Sequence, residues 1–512
     1  MFPWLTTIAV VPLVGGVVLL AMPKGRELLA KQVALAFSLV ALVLTVFAAL
    51  AFDKTRAGDL QLTEVHQWIP AFGIDYAVGV DGVALVLLAL TTILVPIVIL
   101  AGWHDADSAA ASVKGYFALV LILEAFTVGV FAATDLFLFY ILFEAMLLPV
   151  FFLIGRYGGP QRSYAAMKFL LYGLLGGLIM LAALIGLYVV SAQNGPGTFD
   201  FTTLVGLHID PVTQRWLFLG FFIAFAIKAP LVPLHTWLPD AAAESTPGTN
   251  VLLIGVLDKV GTFGMLRYCL ELFPDASHWA TPVVIVLCVV GIIYGALLAI
   301  GQTDLYRLIA YTSVSHFGFI GLGIFAMTSQ GQAGATLYMV NHGFTIAALF
   351  IILGFLVNRR GSRNIADFGG VQKVAPLLAG TFLVAGLSSL ALPGLSSFVS
   401  EFLVLVGTFE RYKAVAVIST VAIVLAALYI LLMYRRTMTG DTPDIVRERV
   451  HDLKGREMLA VVPLLAIIIG LGVAPQPVLD VINPAVDRVM ATIGATDPAP
   501  VVPAQAAEGT AP

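Results

Sequence analysis

Residues 216–234 read WLFLGFFIAFAIKAPLVPL, an apolar run that contains one lysine, Lys228, and two prolines, Pro230 and Pro233. A helix needs roughly 20 apolar residues to cross the hydrocarbon core of a bilayer, and this run has about that length. Because proline removes a backbone hydrogen bond and clashes with the preceding turn, the helix is expected to break beside the lysine. The stretch therefore predicts a membrane span that is interrupted near its middle, with a charge at the interruption.

The composition of the whole chain is typical of a membrane protein. Of its 512 residues, 60% are hydrophobic and 11% are charged, and the mean hydropathy is +0.98. An ordinary soluble domain carries roughly 25% charged residues. We therefore expect the chain to be surrounded by a lipid bilayer.

Charge and cysteine content exclude several functions. The formal net charge of −4 provides no basic surface for nucleic acid, so no nucleic-acid partner is expected. The two cysteines, Cys269 and Cys288, both lie in apolar runs and cannot supply a disulfide framework, a zinc site or an iron–sulfur ligand set. We expect no metal and no redox cofactor to bind to this chain.

Apolar runs recur along the chain, and they are too long to be strands of a membrane barrel. We expect an all-α polytopic membrane protein with about fourteen transmembrane helices. The predicted spans lie near residues 3–20, 31–52, 77–101, 114–133, 135–155, 165–191, 213–234, 248–272, 280–300, 304–328, 333–357, 376–408, 414–434 and 457–480.

The distribution of lysine and arginine predicts the orientation of the chain. Loops that follow odd-numbered spans hold most of these residues, for example Lys24 with Arg26 and Arg435 with Arg436. Loops that follow even-numbered spans hold few of them, such as Arg411. Positive residues accumulate in cytoplasmic loops. We therefore expect both termini on the non-cytoplasmic side.

A second predicted span is interrupted like the first. Residues 392–397, LPGLSS, break the apolar run of the twelfth span, five helices after the break at Lys228. Five is an odd number, so two repeats related by this spacing would be inverted, as they are in many secondary transporters with ion sites near the midplane. The alternative is that proline and glycine are simply frequent in membrane helices.

Two charged residues inside predicted spans are candidates for a functional ion pair. Glu144 lies in FYILFEAMLLP, residues 139–149, and Lys228 lies at the first break. A charge at the centre of a membrane helix costs roughly 3 kcal/mol, so each needs a partner or water. A Glu144–Lys228 pair that opens and closes could switch its lysine between holding and releasing a proton. The alternative is a permanent ion pair that locks two helices.

Four further residues extend this series. Lys259 lies in GVLDKVG, residues 255–261, and Glu401 follows the second break. His316 and His342 lie on adjacent spans between the lysine-bearing and glutamate-bearing helices. A single membrane histidine is most often a hydrogen-bonded core residue. Two of them between lysine and glutamate favour proton transfer, because histidine has an ordinary pKa near 6.5.

Other charged residues are weaker candidates. Glu124 lies inside the fourth span, where it could supply protons to Glu144. A second group lies near helix ends or beside another charge, where anchoring at the membrane interface is the expected role; its members are Asp135, Asp258, Arg267 and Asp304. His235, in HTWLPD at residues 235–240, could gate a pathway or cap a helix.

These motifs together resemble the antiporter-like membrane subunits of respiratory complex I. The resemblance rests on Lys228-Ala-Pro230, HTWLPD, Lys259, YTSVSH at residues 311–316, and the Pro393-Gly394 break before Glu401. It covers nearly the whole chain. One departure follows Asp240, where the family commonly has a histidine and an Ala-Pro step but this chain has AAAESTPGTN at residues 241–250. The role of that histidine does not transfer to this chain.

The resemblance implies two inverted five-helix repeats, each with a broken helix. The implied parts are a three-helix segment at 1–112, repeats at 113–273 (helices 4–8) and 274–435 (helices 9–13), the last helix with its preceding loop at 436–482, and a flexible tail at 483–512. In this scheme Glu144 and Lys228 form the interacting pair, and Lys259 is the central lysine. The two histidines form a connecting polar axis, and Glu401 is the exit or entry residue at the end of this series.

The resemblance also implies a function and partners. The chain would translocate protons across a bacterial cytoplasmic membrane as a subunit of an NADH-quinone oxidoreductase. NADH, FMN, iron–sulfur clusters and quinone would bind to partner subunits, and neighbouring antiporter-like chains would be its membrane partners. Two alternatives are a subunit of a multisubunit cation/proton antiporter and a passive scaffold within a complex.

Overall fold

The structure, a computed structural model, describes residues 2–107 and 112–499 and is mostly helical in them. The first half of the chain forms helices α1 (Trp4–Ala21), α2 (Glu27–Ala51), α3 (Gly82–Ala101), α4 (Val113–Ala132), α5 (Leu136–Ala145), α6 (Leu147–Tyr157), α7 (Arg162–Gln193), α8 (Phe201–Val205), α9 (Pro211–Lys228), α10 (Trp237–Glu244), α11 (Pro247–Asn250) and α12 (Lys259–Gly264). The second half forms helices α13 (Pro274–Ile300), α14 (Leu305–Phe325), α15 (Ser329–Arg360), α16 (Pro376–Ser389), α17 (Ser396–Arg411), α18 (Lys413–Met438), α19 (Asp444–Arg449), α20 (Gly455–Val473) and α21 (Gln476–Thr492).

Twelve helices in the described part of the chain are long and apolar enough to cross a membrane. The number rises to thirteen if a bent pair, Ile365–Lys373 with α16, counts as one span. The two predicted spans outside the twelve, at 213–234 and 376–408, are both interrupted. The prediction of an all-helical polytopic membrane protein is confirmed, and the two breaks explain why fewer uninterrupted spans are present than the fourteen predicted.

The core of the bundle consists of α14, α15 and the segment from Pro247 to Leu270, which are almost completely buried. Helices α2, α18 and α20 lie at the periphery, with most of their residues partly or fully exposed. Lipid tails are as apolar as leucine side chains, so moving an apolar helix from lipid into the bundle gains no hydrophobic free energy. A fully buried central helix is therefore held in place by its packing contacts with neighbouring helices. The predicted charged residues from Lys228 to Glu401 all lie on this core or directly against it.

A β-hairpin, which the sequence analysis missed, projects between α2 and α3. Its strands β1 (Gln61–Ile69) and β2 (Ile74–Val80) pair antiparallel. The carboxylate of Glu64 accepts hydrogen bonds from the backbone N–H groups of Leu5 and Thr6, at 3.0 and 3.3 Å, and from the Thr6 hydroxyl. These N–H groups belong to the first turn of α1, which has no intrahelical partner for them and attracts a negative charge. Glu64 therefore fastens the hairpin to the start of α1.

Replacing Glu64 with alanine is expected to lower the free energy of unfolding by about 1 kcal/mol, the usual cost of losing a helix-capping side chain. The midpoint of thermal unfolding, measured on the protein purified in its complex, reports this change. Gln67→Ala is the matched control because Gln67 lies exposed on the same strand. Equal midpoints for the two variants would mean that the Glu64 contacts do not stabilise the fold.

The end of the chain corrects two predictions. The predicted span at 457–480 ends earlier, because α20 stops at Val473 and a separate helix, α21, begins at Gln476. The predicted flexible tail from 483 is wrong through Thr492, since this stretch is the second part of α21. Apolar residues at helical spacing form its buried face and are the signal that was overlooked; they are Val481, Ile482, Ala485, Val486, Val489 and Met490. Residues 500–512 of the predicted tail lie outside the described residues.

Two helices are interrupted, five predicted spans apart. The first break, residues 229–236, separates α9 from α10, and the indole N–H of Trp237 donates to the carbonyl of Ile227 at 2.9 Å. The second break, residues 390–395, separates α16 from α17, and the Asn341 amide donates to the carbonyl of Ser396 at 2.7 Å. Side chains thus satisfy backbone groups near each break, which apolar surroundings require.

The helix that carries Lys259 is irregular on both sides of it. Residues 251–257 and 265–270 have π-helical hydrogen bonding, and the short α-helix α12 lies between these segments. π-Helical turns widen the backbone and occur frequently at functional sites. The irregularity gives the side chain of Lys259 access to a main-chain carbonyl of the preceding turn.

Candidate functional site

Glu144 and Lys228 lie near each other but do not form an ion pair. Lys228 is 2% exposed, and its ammonium has no hydrogen-bond partner among the described residues. It lies 4.9 Å from the ring centroid of Phe143 and 5.9 Å from that of Phe169, where cation–π attraction replaces part of its hydration. Glu144 is partly buried on α5 and is within electrostatic range of Lys228.

The alternative of a permanent salt bridge between Glu144 and Lys228 therefore does not describe this structure. Gly177 on α7 leaves the space that the Glu144 carboxylate occupies, because a Cβ atom there would overlap its oxygen Oε1. A charge held apart from its counter-charge in an apolar interior is unfavourable. The arrangement is that of an open pair.

Lys259 contacts one of the predicted histidines directly. Its side chain is fully buried, and its ammonium nitrogen Nζ donates to the carbonyl of Ile254 at 2.5 Å. The same nitrogen lies 2.7 Å from Nδ1 of His342 on α15. It also lies 5.0 Å from the ring centroid of Phe317. A lysine and a histidine at this distance can exchange a proton without an intervening group.

The two histidines and two tyrosines lie in the region between Lys259 and Glu401. The rings of His316 and His342 are perpendicular, with 5.2 Å between their centroids. Nε2 of His316 is 3.5 Å from the hydroxyl of Tyr429, and its ring is 5.8 Å from that of Tyr338. The Tyr338 hydroxyl donates to the Glu401 carboxylate at 2.9 Å. Sequence reasoning missed both tyrosines, although Tyr338 lies one helical turn before His342.

Hydroxyl groups line the second break beside this connection. Thr345 on α15 lies 2.8 Å from the hydroxyl of Ser388 and 3.3 Å from that of Ser397. The hydroxyl of Ser400 donates to the carbonyl of Ser397 at 3.0 Å. Such a polar lining provides donors and acceptors on both sides of the break, in the interior of an otherwise apolar bundle.

The weaker candidates separate into two kinds. The carboxylates of Asp135 and Asp304 accept hydrogen bonds from the first backbone N–H groups of α5 and α14, so both residues cap helices. For Asp135, Asp258 and Arg267, anchoring at the membrane interface is wrong, because all three side chains are buried. Position along a helix did not reveal how deeply the surrounding helices enclose them.

Arg267 is the centre of a buried ionic cluster. Its guanidinium forms a close ion pair with Asp81, which caps α3, and lies 3.5 Å from Glu271. The same guanidinium lies over the rings of Phe201 and Phe263. One arginine thus compensates two carboxylates in an apolar setting, which ties the π-helical segment at 265–270 to the start of α3.

Glu124 and His235 are buried polar side chains that stand apart from the others. Both oxygens of Glu124 have no hydrogen-bond partner in the described residues. His235 is buried, with its ring 5.5 Å from that of Tyr294. The neighbouring Asp240 binds Lys168 at 2.7 Å and Arg307 at 2.8 Å, so the HTWLPD motif joins α7, α10 and α14.

The chemistry available here is proton transfer. In residues 2–107 and 112–499, no group of three or more histidine, cysteine, aspartate or glutamate side chains is placed to hold a metal ion. The buried groups are lysine, histidine, tyrosine and carboxylate, each of which can accept or donate a proton. Interrupted helices with such groups in their interior define an ion-translocating membrane subunit of the antiporter-like class.

Comparison with known proteins identifies the family. The family described as "NADH:quinone oxidoreductase/Mrp antiporter, TM" matches residues 133–426, and this chain belongs to it. NADH-quinone oxidoreductase subunit M of Mycobacterium tuberculosis is 54% identical over 98% of this chain and 96% of its own length. Among solved structures, respiratory complex I from Thermus thermophilus with bound NADH contains a chain with a TM-score of 0.87, 28% identity and coverage of 96% of this chain and 100% of that one. The Mrp complex from Dietzia sp. contains one with a TM-score of 0.84, 22% identity and the same coverages, a similarity of fold.

Proposed function

We propose that this chain is a proton-translocating membrane subunit of an NADH-quinone oxidoreductase. The observation that carries the proposal is the direct contact of Lys259 with His342. The rings of His316 and Tyr338 lie next in line, at centroid distances of 5.2 and 5.8 Å, and Tyr338 donates to Glu401. The identity to the mycobacterial subunit M supports the oxidoreductase over a multisubunit cation/proton antiporter, because the Mrp similarity concerns the fold alone.

Each predicted residue has a role in this proposal. Glu144 controls whether Lys228 holds its proton, since a carboxylate that closes on a lysine favours the charged form. Lys259 is the central proton carrier, and His342 and His316 pass the proton along the core of the bundle. Glu401, with Tyr338 on its carboxylate, is the last carrier before the surface.

The remaining parts of the proposal concern the setting of the chain. We place the inverted repeats at 113–273 and 274–435, after the three-helix segment at 1–112. Both termini face the non-cytoplasmic side of a bacterial cytoplasmic membrane, as the lysine and arginine distribution favours. NADH, FMN, iron–sulfur clusters and quinone bind to partner subunits, and neighbouring antiporter-like chains are the membrane partners.

The test measures NADH-driven proton pumping in inverted cytoplasmic-membrane vesicles that contain the assembled complex. Glu401→Gln is expected to lower pumping about tenfold, because an amide of the same shape cannot carry a proton. Glu410→Gln, on the same helix but near the surface, is the matched control and should pump normally. Normal pumping by Glu401→Gln in an assembled complex would contradict the proposed function. Sodium-driven rather than NADH-driven proton movement would identify the antiporter instead.

A further inference from the structure

Asp258 is a buried carboxylate that the proposed path does not yet use. It lies between the π-helical segment at 251–257 and α12, is 0% exposed, and has no hydrogen-bond partner on either oxygen within the described residues. We propose that Asp258 carries protons between Lys228 and Lys259, joining the first pair of charges to the central axis. The inference rests on the proposed function and adds a residue to it.

The packing of α12 places Asp258 toward the end of α9. Residues three apart lie on one face of a helix, so Asp258 shares a face with Gly261. A Cβ atom at Gly261 would lie 2.6 Å from the backbone of both Phe225 and Ala229, the residues on either side of the end of α9. This face of α12 therefore packs without any intervening side chain against the break that carries Lys228.

The next face of α12 points to a different helix. Thr262 shares this face with Lys259, and its hydroxyl lies 3.0 Å from the sulfur of Met339 on α15. Lys259 itself reaches His342, one turn further along α15. Two consecutive residues thus present a carboxylate to the first break and an amine to the histidine axis.

The charges around Lys228 are consistent with a relay. Lys228 is within electrostatic range of two carboxylates, Glu144 and Asp258, and it forms a hydrogen bond with neither. Asp258 is in turn within range of both lysines. A single lysine between two carboxylates can close on either of them, and each closure leaves the other carboxylate uncompensated.

A purely structural role for Asp258 fits the contacts less well. A carboxylate that served only to neutralise Lys259 would gain most from a hydrogen-bonded ion pair with it. The ammonium of Lys259 instead donates to the carbonyl of Ile254 and contacts His342. Asp258 is left without a hydrogen bond in the interior, which is unfavourable for a carboxyl group and more so when it is ionised.

The proposed transfer consists of two successive proton transfers. In the first, an N–H bond of the Lys228 ammonium breaks and an O–H bond forms on Asp258, which leaves a neutral amine and a neutral carboxyl group. Before the second step, Lys259 passes a proton from its ammonium to Nδ1 of His342 and becomes a neutral amine. The O–H bond of Asp258 then breaks and an N–H bond forms on Lys259, which restores the carboxylate. One proton has moved from Lys228 to Lys259, no electron has moved, and Asp258 is ready for the next proton.

The test compares Asp258→Asn with Asp258→Glu in inverted vesicles, as protons pumped per NADH oxidised. Asp258→Asn keeps the shape and removes the proton-carrying group, and we expect pumping about tenfold lower with unchanged assembly on native gels. Asp258→Glu restores a carboxylate and should pump within about twofold of the unsubstituted protein. Asp275→Asn, at an exposed aspartate at the start of α13, is the matched control and should pump normally. If the amide lowers assembly, Asp258→Ser removes the carboxylate with a smaller side chain.

The outcomes separate the inference from the proposed function when Glu401→Gln is measured beside these variants. Pumping lost in Glu401→Gln but normal in Asp258→Asn would overturn the role of Asp258 alone. Equally low pumping in Asp258→Asn and Asp258→Glu, with both complexes assembled, would also overturn the role of Asp258, because restoring a carboxylate would then not restore pumping. Normal pumping in Glu401→Gln would overturn the proposed function and the inference together.

Discussion

Replacing Lys259 with methionine is expected to lower NADH-driven proton pumping about a hundredfold, within the range for loss of a positioned proton carrier. In the proposed path Lys259 links the Glu144–Lys228 pair to His342. Its ammonium donates to the carbonyl of Ile254 and contacts Nδ1 of His342. Methionine has a similar length and no charge, so it relieves the burial of an ion and should not prevent folding. Pumping in inverted vesicles, normalised to the amount of assembled complex, is the measurement.

Lys259→Arg separates proton carriage from charge. Arginine keeps the positive charge but does not release a proton in proteins, so this variant should pump as poorly as Lys259→Met. Lys413→Met, at the exposed start of α18, is the control for loss of a lysine and should be normal. Substantial pumping by Lys259→Arg would mean that the site needs a fixed charge rather than a group that titrates.

Replacing Arg267 with methionine is expected to destabilise the protein by about 3–5 kcal/mol, because it leaves Asp81 and Glu271 buried without their counter-charge. A loss of this size is a large fraction of the stability of a typical domain. We therefore expect little assembled complex on native gels and a lower midpoint of thermal unfolding for what remains.

The control for Arg267 is Arg215→Met, since Arg215 is exposed in the first turns of α9, with its guanidinium over the ring of Trp279. That variant should assemble normally. Adding Asp81→Asn to Arg267→Met removes one uncompensated carboxylate and should recover part of the lost stability. A double variant as unstable as the single one would show that the charge of Asp81 is not the cause of the instability.

Sequence reasoning was most successful for residues that are informative without knowledge of their neighbours. A lysine or glutamate within an apolar run is unusual whatever surrounds it, and this feature led to Glu144, Lys228, Lys259 and Glu401. The apolar runs themselves predicted the helices, and the prolines at 230 and 393 marked the two breaks. The structure then supplied what composition cannot, namely which side chains touch.

Sequence reasoning failed where the environment depends on neighbours that are distant in the chain. Asp258 and Arg267 were assigned to the interface because their positions along the helix allow it, whereas the enclosing helices bury them. Tyr338 and Tyr429 are ordinary residues for a membrane helix, and only the packing of α15 against α17 and of α18 against α14 gives them a role. The hairpin escaped notice because its strands alternate polar and apolar residues weakly.

Most of the proposed carriers lie near the middle of their spans, as Glu144 does in Leu136–Tyr157, Lys259 in Pro247–Leu270 and His316 in Leu305–Phe325. Carriers at similar depth form a path that runs along the plane of the bilayer. The transmembrane voltage does work only on charge displaced across that plane, about 2.3 kcal/mol per elementary charge per 100 mV. Transfers between Lys228 and Glu401 should therefore be nearly independent of voltage. The voltage would act almost entirely on the steps that connect this path to the two aqueous phases.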